Sequence, residues 1–410
     1  MNIGILTFYK VANFGANLQA ISTYKYLVNN GYRPIFINYM SQESYERYKR
    51  NEGSIQWKEH IRTVDSIIEN QTNICTNYED INNVIKRYDI KAVIIGSDAL
   101  LQHHPLISRI QRGRRIPIRI DHMDSDRLFP NPFWGFNFSK DIPVALMSVS
   151  SQNSSYGYFL QRTKRKMKEA LDLMSYISVR DNWTYDMVKS TGYDKEIYKT
   201  PDPVFAFNKN AKEIIPTRED ILKKYKLPES YILLSLHKYT LSKEVIAELR
   251  DYYASKSISL VFLPIPNGEL YNSFLEYNIE YPLSPLDWFS IIKYSKGYIG
   301  SNMHPVVVSL HNAIPCYSID NWGKKNFWGK KESKCSSKVF DILNEFGVPH
   351  NHSFIENGKC KVTAQEIIEK MDSFPKENIR EIAIKMEKKY QIMMETILCR
   401  FSNEMFDKNE

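Results

Sequence analysis

Met1-Asn-Ile-Gly-Ile-Leu-Thr-Phe8 is followed by Asn13-Phe-Gly-Ala-Asn17, and then by Leu18, Ile21, Tyr24 and Leu27 at helical spacing. The fold turns on the reading of this stretch. The apolar run Ile3–Phe8 predicts a buried strand, and the spaced apolar residues predict one face of a helix that stops at Gly31. A second apolar run, Pro34–Tyr39, returns at once. Strand, helix and strand in so short a span predict a parallel pair with a helical crossover. A loop of Asn, Gly and Ala between strand end and helix start is a place where backbone N–H groups meet an anion.

The alternation continues outward. Lys91–Ile95, running into Gly96-Ser-Asp98, Pro143–Val149 and Tyr176–Val179 are further strand-like runs, with a helical segment over about Tyr158–Met174. Uninterrupted apolar runs of this length suit a parallel sheet covered on both faces. Residues 41–85 are polar and predict a helical or loop insertion. Residues 100–140 carry many Pro, Arg, Asp and aromatic residues with little periodicity. They lie just after the strand ending at Asp98, where a doubly wound sheet places its ligands. The pattern restarts at Ile232–Leu236, with strands at Ile258–Leu263, Gly297–Gly300 and, last, Ile314–Ile319. Helices are expected at Ser242–Ala254, at Ser284-Pro through Lys293, and from about His304. Pro201–Ser230 reads as a linker. The expected architecture is α/β, with two Rossmann-like domains whose parallel sheets face across a cleft, over residues 1–205 and 206–375. An amphipathic helix at 376–400 is placed to cross back onto the first domain.

Composition narrows the function. The chain has 410 residues, 43% hydrophobic and 25% charged, with 55 basic and 47 acidic side chains giving a net +8. That excess is small for the length and forms no dense block, so no nucleic acid partner is expected. The densest basic run, Arg109–Arg119, contains interleaved Ile residues. It reads as a solvated loop face, with anionic lipid, acidic glycan or a phosphorylated acceptor as the functional alternatives. No apolar run reaches the ~20 residues of a membrane span. The start lacks the pattern of a signal peptide. Five scattered cysteines without CxxC spacing point to a reducing compartment, hence a cytoplasmic location. His103-His104 and Asp121-His122 lack metal-ligand spacing, so no metal is expected. Phosphate-loop, dinucleotide and hydrolase-elbow signatures are lacking.

The strongest constellation is Gly300-Ser-Asn-Met-His304, a strand end opening into a helix with a histidine in its first turn. Together with Asn13–Asn17, Gly96-Ser-Asp98, Ser178-Val-Arg180, Asp202-Pro203 and Ser284-Pro285, it resembles the polysaccharide pyruvyl transferase family over most of residues 1–320. The resemblance implies a fold like that of B-type glycosyltransferases. It also implies transfer of the enolpyruvyl group of phosphoenolpyruvate onto a sugar as a cyclic ketal, during surface polysaccharide synthesis, with no cofactor. By the same resemblance His304 delivers or balances the proton. Arg180, His237, Lys238, Ser301 and Asn302 face the donor. Asp98 accepts from, or deprotonates, an acceptor hydroxyl, and Asn13, Gly15 and Asn17 hold the acceptor. The partner is a glycan, free or lipid-linked, and in the second case a contact with the inner face of the membrane is expected. At Asn302 the chain departs from the many members that carry Arg. Two alternatives stay open: a nucleotide-sugar glycosyltransferase of the same fold, with Glu269 or Asp287 holding the ribose, and a non-catalytic partner in polysaccharide synthesis.

Overall fold

Six strands make the first sheet of the computed structural model, which describes residues 1–407 apart from 112–117, 136–137, 139, 141, 153, 238–239, 266–274, 321–336 and 356–359. They are β1 (Asn2–Leu6), β2 (Arg33–Phe36), β3 (Ala92–Asp98), β4 (Val144–Val149), β5 (Tyr176–Val179) and β6 (Tyr198–Lys199), in the order β2-β1-β3-β4-β5-β6. All pairings are parallel, with Ile3 opposite both Pro34 and Ala92. Val93, Ile95 and Leu146 face one core while Ile94 and Ala145 face another, which is why these strands read as unbroken apolar runs.

The second sheet repeats the plan with β7 (Tyr231–Ser235), β8 (Ser259–Phe262), β9 (Tyr277–Asn278), β10 (Gly297–Gly300), β11 (Cys316–Asp320) and β12 (His352–Phe354), in the order β9-β8-β7-β10-β11-β12. These strands too pair in parallel throughout. The sequence placed the last strand at Ile314–Ile319, but β12 lies beyond it. Its three half-buried residues carry no apolar run that would announce it.

The expected linker is built structure. Asp202 caps a turn of 3-10 helix at Pro203–Ala206, and helices follow at Phe207–Asn210 and Arg218–Tyr225. Val204, Phe205 and Phe207 share one core with Phe14 and Leu18 of the first half and Phe289 and Val307 of the second. A helix of 32 residues, Lys376–Asp407, then returns to the first sheet. Its Tyr390, Met394, Ile397 and Phe401 pack with Ile3, Ile5 and Ile94.

The halves are locked at the base of the cleft. The rings of Phe14 and Trp288 stack at 4.8 Å and 4°. The buried Gln56 amide donates to the Leu283 carbonyl at 2.8 Å and accepts from the Leu283 N–H at 2.7 Å. Replacing Gln56 by Leu keeps volume but strands both backbone groups. A loss of about 2–4 kcal/mol in urea unfolding is expected. A loss under about 0.5 kcal/mol would mean that the two groups find other partners.

Candidate active site

Both sheets reverse their winding beside the cleft, at β1/β3 and at β7/β10, and the loops leaving the carboxyl ends of these strands line it. The cavity has a volume of about 790 Å³.

Three helices open onto this space. The helix Phe14–Asn29 begins at Asn13, whose side chain accepts from Ala16 N–H. The helix Met303–His311 begins at Asn302, with no side-chain cap to occupy its first N–H groups. The helix Lys338–Glu345 begins at Ser337, which accepts from Phe340 N–H. Asn13, Asn302, His304 and Lys338 all line the cleft, so three positive helix ends converge there.

His304 reaches across from the second half to lie on the first turn of the Phe14 helix. A Cβ on Gly15 would fall 2.0 Å from the imidazole carbons. Glycine is needed at this position for close approach of a ring, since its backbone is ordinarily helical. The Gln19 amide nitrogen lies 3.5 Å from His304 Nε2 and also donates to Asp202 Oδ2. Burial pushes the His304 pKa below its ordinary value. Asp202 opposes that shift, Arg180 adds to it, Asp98 opposes it and Lys338 adds to it.

Arg180 stands at the end of β5 with its side chain almost wholly enclosed. It donates to Asp202 Oδ2 at 3.0 Å and lies 3.7 Å from Asp98 Oδ1. Asp98 holds a positive φ of 148° at the end of β3, and its carboxylate accepts from Ala99 N–H at 2.7 Å. A non-glycine residue in that region is a local strain of about 1–3 kcal/mol, of the kind that collects at functional sites. Lys338 is the residue that sequence reasoning missed. Its pKa is lowered to about 8, by burial first and by Arg180 next, against the opposing pull of Asp181, Asp98 and Asp202. Nothing local in the sequence marks it, because it meets Arg180 only in space.

The cleft thus brings together Asn13, Gly15, Asp98, Arg180, His237, Asn302 and His304. Two expected site residues turn away from it. Asn17 is wholly buried, donating to the Tyr9 and Val11 carbonyls and lying 2.6 Å from His60 Nδ1, so it shapes the loop from inside. Ser301 is buried behind the cleft, with its hydroxyl unpartnered. Lys238 and Glu269 lie outside the described residues. Asp287 is buried and held by Lys224 at 2.6 Å and Tyr225 at 2.8 Å, away from the cleft. Further along the cavity, Tyr39, Tyr48 and Trp57 supply rings and Asn38 and Asn51 supply amides. Rings and amides in one wall match the apolar faces and hydroxyls of a sugar.

The profile of the family described as polysaccharide pyruvyl transferase matches residues 13–323. Among solved structures, the UDP-GlcNAc 2-epimerase from Neisseria meningitidis bound to UDP-GlcNAc is similar in fold, with a TM-score of 0.56 at 10% identity over 97% of this chain and 100% of that one. The 2-epimerase from Rickettsia bellii gives 0.54 at 11% identity, over 98% and 97%. That from Methanocaldococcus jannaschii gives 0.52 at 10% identity, over 91% and 92%. These likenesses place the two-sheet architecture among B-type glycosyltransferase folds. No curated protein matches the chain.

Proposed function

Because the chain belongs to the polysaccharide pyruvyl transferase family, we propose that it moves the enolpyruvyl group of phosphoenolpyruvate onto two hydroxyls of a glycan as a cyclic ketal, in the building of a surface polysaccharide. One acceptor oxygen bonds to C2 of the donor while the methylene C3 takes up a proton. The second hydroxyl then displaces phosphate and closes the ring. The products are the ketal and inorganic phosphate, so protons and oxygens balance without an oxidant or a metal.

The observation that supports this reading most is the convergence of three helix N-termini with Arg180 and Lys338 around one imidazole. The donor carries a phosphate and a carboxylate, and such a site offers N–H groups and cations to both. In this reading Lys338 supplies, from another helix, the positive charge that Asn302 lacks. In the same reading His304 protonates C3, Asp98 receives the acceptor hydroxyl proton, and Tyr48 and Trp57 carry the sugar. The deciding experiment is release of phosphate from phosphoenolpyruvate that depends on added glycan, tested with an acceptor panel that includes lipid extracts of the source cell. Donor binding in the calorimeter without any such release would refute transfer.

Lys338 also sets a pH signature. Its ammonium is present below a pKa of about 8 and lost above it. A bound anion favours the charged form, so the pKa rises in the complex. Donor affinity should therefore fall as pH climbs through about 8. Lys338→Ala should weaken binding about tenfold or more at neutral pH and flatten that alkaline limb. A limb of unchanged slope in the variant would assign it to another group.

A further inference from the structure

Exposed apolar side chains are unevenly spread over this protein. Six of the thirteen large ones most open to solvent among the described residues are Leu106, Ile107, Ile118, Ile120, Tyr158 and Leu160, between 49% and 73% exposed. The first two lie on a short helical turn, Leu106–Arg109. Ile118 immediately precedes, and Ile120 ends, the second strand of the ribbon that pairs Ile110–Gln111 with Arg119–Ile120, where Ile110 stands opposite Ile120. Tyr158 and Leu160 flank Phe159, whose ring lies 4.9 Å from that of His103, three residues before Leu106. The two segments therefore meet, and together they carry these six exposed apolar side chains.

A basic helix adjoins that surface. Leu160 opens directly into the helix Gln161–Asp172, which carries Arg162, Lys164, Arg165, Lys166 and Lys168 against Glu169 and Asp172. Lys168 is paired with Asp172 at 2.8 Å. The other four basic side chains have no ion-pair partner among the described residues. Solvated surface helices do not need bare leucines beside arginines. Nucleic acid would ask for charge and stacking rings rather than aliphatic side chains. Aliphatic residues at the level of acyl chains with Lys and Arg at headgroup level suit the interface of an anionic bilayer.

We infer that this face docks the protein on an anionic lipid bilayer. Its position gives the docking a use. The ribbon belongs to the connection whose Ala99, Gln102 and Arg127 line the cleft, and the helix to the one whose Gln152 does. A bilayer held here lies beside the mouth of the cavity. Resting on the function proposed above, the acceptor is then a glycan on a membrane-embedded lipid, which reaches the cleft without leaving the bilayer.

The test is sedimentation of the purified chain with vesicles of phosphatidylcholine, with or without phosphatidylglycerol. Binding is expected to the anionic vesicles alone and to weaken with salt. Neutralising Arg162, Arg165 and Lys166 to Gln should lower the partition about a hundredfold. Changing Leu106, Ile107, Ile118 and Leu160 to Ser should lower it more than about tenfold. All seven positions face solvent, and unchanged thermal melting would confirm that the variants fold. Equal binding to both vesicle types, or wild-type partition in either variant, would overturn the inference. So would binding to polyuridylate that competes with vesicles and ignores the Ser changes. Phosphoenolpyruvate binding, followed by calorimetry without vesicles, separates the two readings. Loss of vesicle binding with donor binding intact refutes only this face, and the converse refutes only the site.

Discussion

His304→Ala should lower kcat by about 10²–10⁴-fold, and should weaken phosphoenolpyruvate binding only by the smaller factor that its proton coupling contributes. A loss mainly in kcat is the mark of an interaction made chiefly in the transition state. His304→Asn should be no better, because an amide can hydrogen-bond but cannot deliver a proton to carbon. The depressed pKa of the ring adds a condition. Burial and the charges of Arg180 and Lys338 hold that pKa below its ordinary 6.5, so the imidazole is neutral near neutral pH until an anion arrives. The donor's phosphate and carboxylate must raise that pKa, so donor binding should take up a proton. Well below pH 8, where Lys338 is already charged, His304 is the group that takes it up, and affinity should weaken as pH rises from the free to the bound pKa. Calorimetry in buffers of different ionisation enthalpy measures that proton. Should His304→Ala weaken donor binding at unchanged kcat, the ring is an anion ligand and C3 is protonated by another group. Should proton uptake be the same in wild type and variant, the coupling lies elsewhere.

Gly15→Ala is expected to be nearly as damaging, although the two residues lie in different halves of the molecule. A methyl group 2.0 Å from the imidazole carbons forces the ring, or the Met303 helix that carries it, to move. A displacement of about 1 Å at a reacting group costs about a hundredfold in rate. Stability should respond in the opposite sense or hardly at all. Alanine is the better helix former by about 1 kcal/mol, and the ring can swing into the cavity to relieve the clash. The expected result is therefore a well-folded protein with kcat reduced about a hundredfold. A variant with wild-type kcat would show that the ring has freedom to spare and that Gly15 serves only the packing. A variant that melts much earlier would show that the ring cannot move, and that the two halves part instead.

The sheets were legible where burial on both faces writes an unbroken apolar run, as in Ala92–Ile95 or Val144–Val149. They were illegible at three of the four sheet edges. Tyr198–Lys199, Tyr277–Asn278 and His352–Phe354 pair along one side only and carry no such run. The supposed linker misled for a related reason. Its prolines and charges mask Val204, Phe205 and Phe207, whose burial depends on helices distant in the chain. In the site, the residues at strand ends were readable because a parallel sheet dictates where its loops go. What those residues face was not. Asn13 and Asn17 are one helical turn apart in number, yet Asn13 is a cap with extended backbone, so helical phase does not carry from one to the other. Asn17 instead points into the loop and toward His60. Gly15 read as part of an acceptor-holding loop because the ring it accommodates comes from far along the sequence. Gln19, bonded to Asp202 across a separation of 183 residues, left no local trace.

The returning helix gives the first sheet an unusual history during synthesis. Ile3, Ile5 and Ile94 are covered on one side by Tyr390, Met394, Ile397 and Phe401. Strands β1 to β6 are complete by residue 199, and Ala20, Tyr24, Leu27, Val64 and Ile68 cover part of that face, yet the rest stays open until the ribosome has made nearly all of the second half and released the helix beyond it. Domains that fold in turn as they emerge are the usual order. Here the part made first is sealed last. A nascent chain arrested at residue 375 should leave its first half sensitive to protease and bound by chaperones, and release of residues 376–407 should end both together.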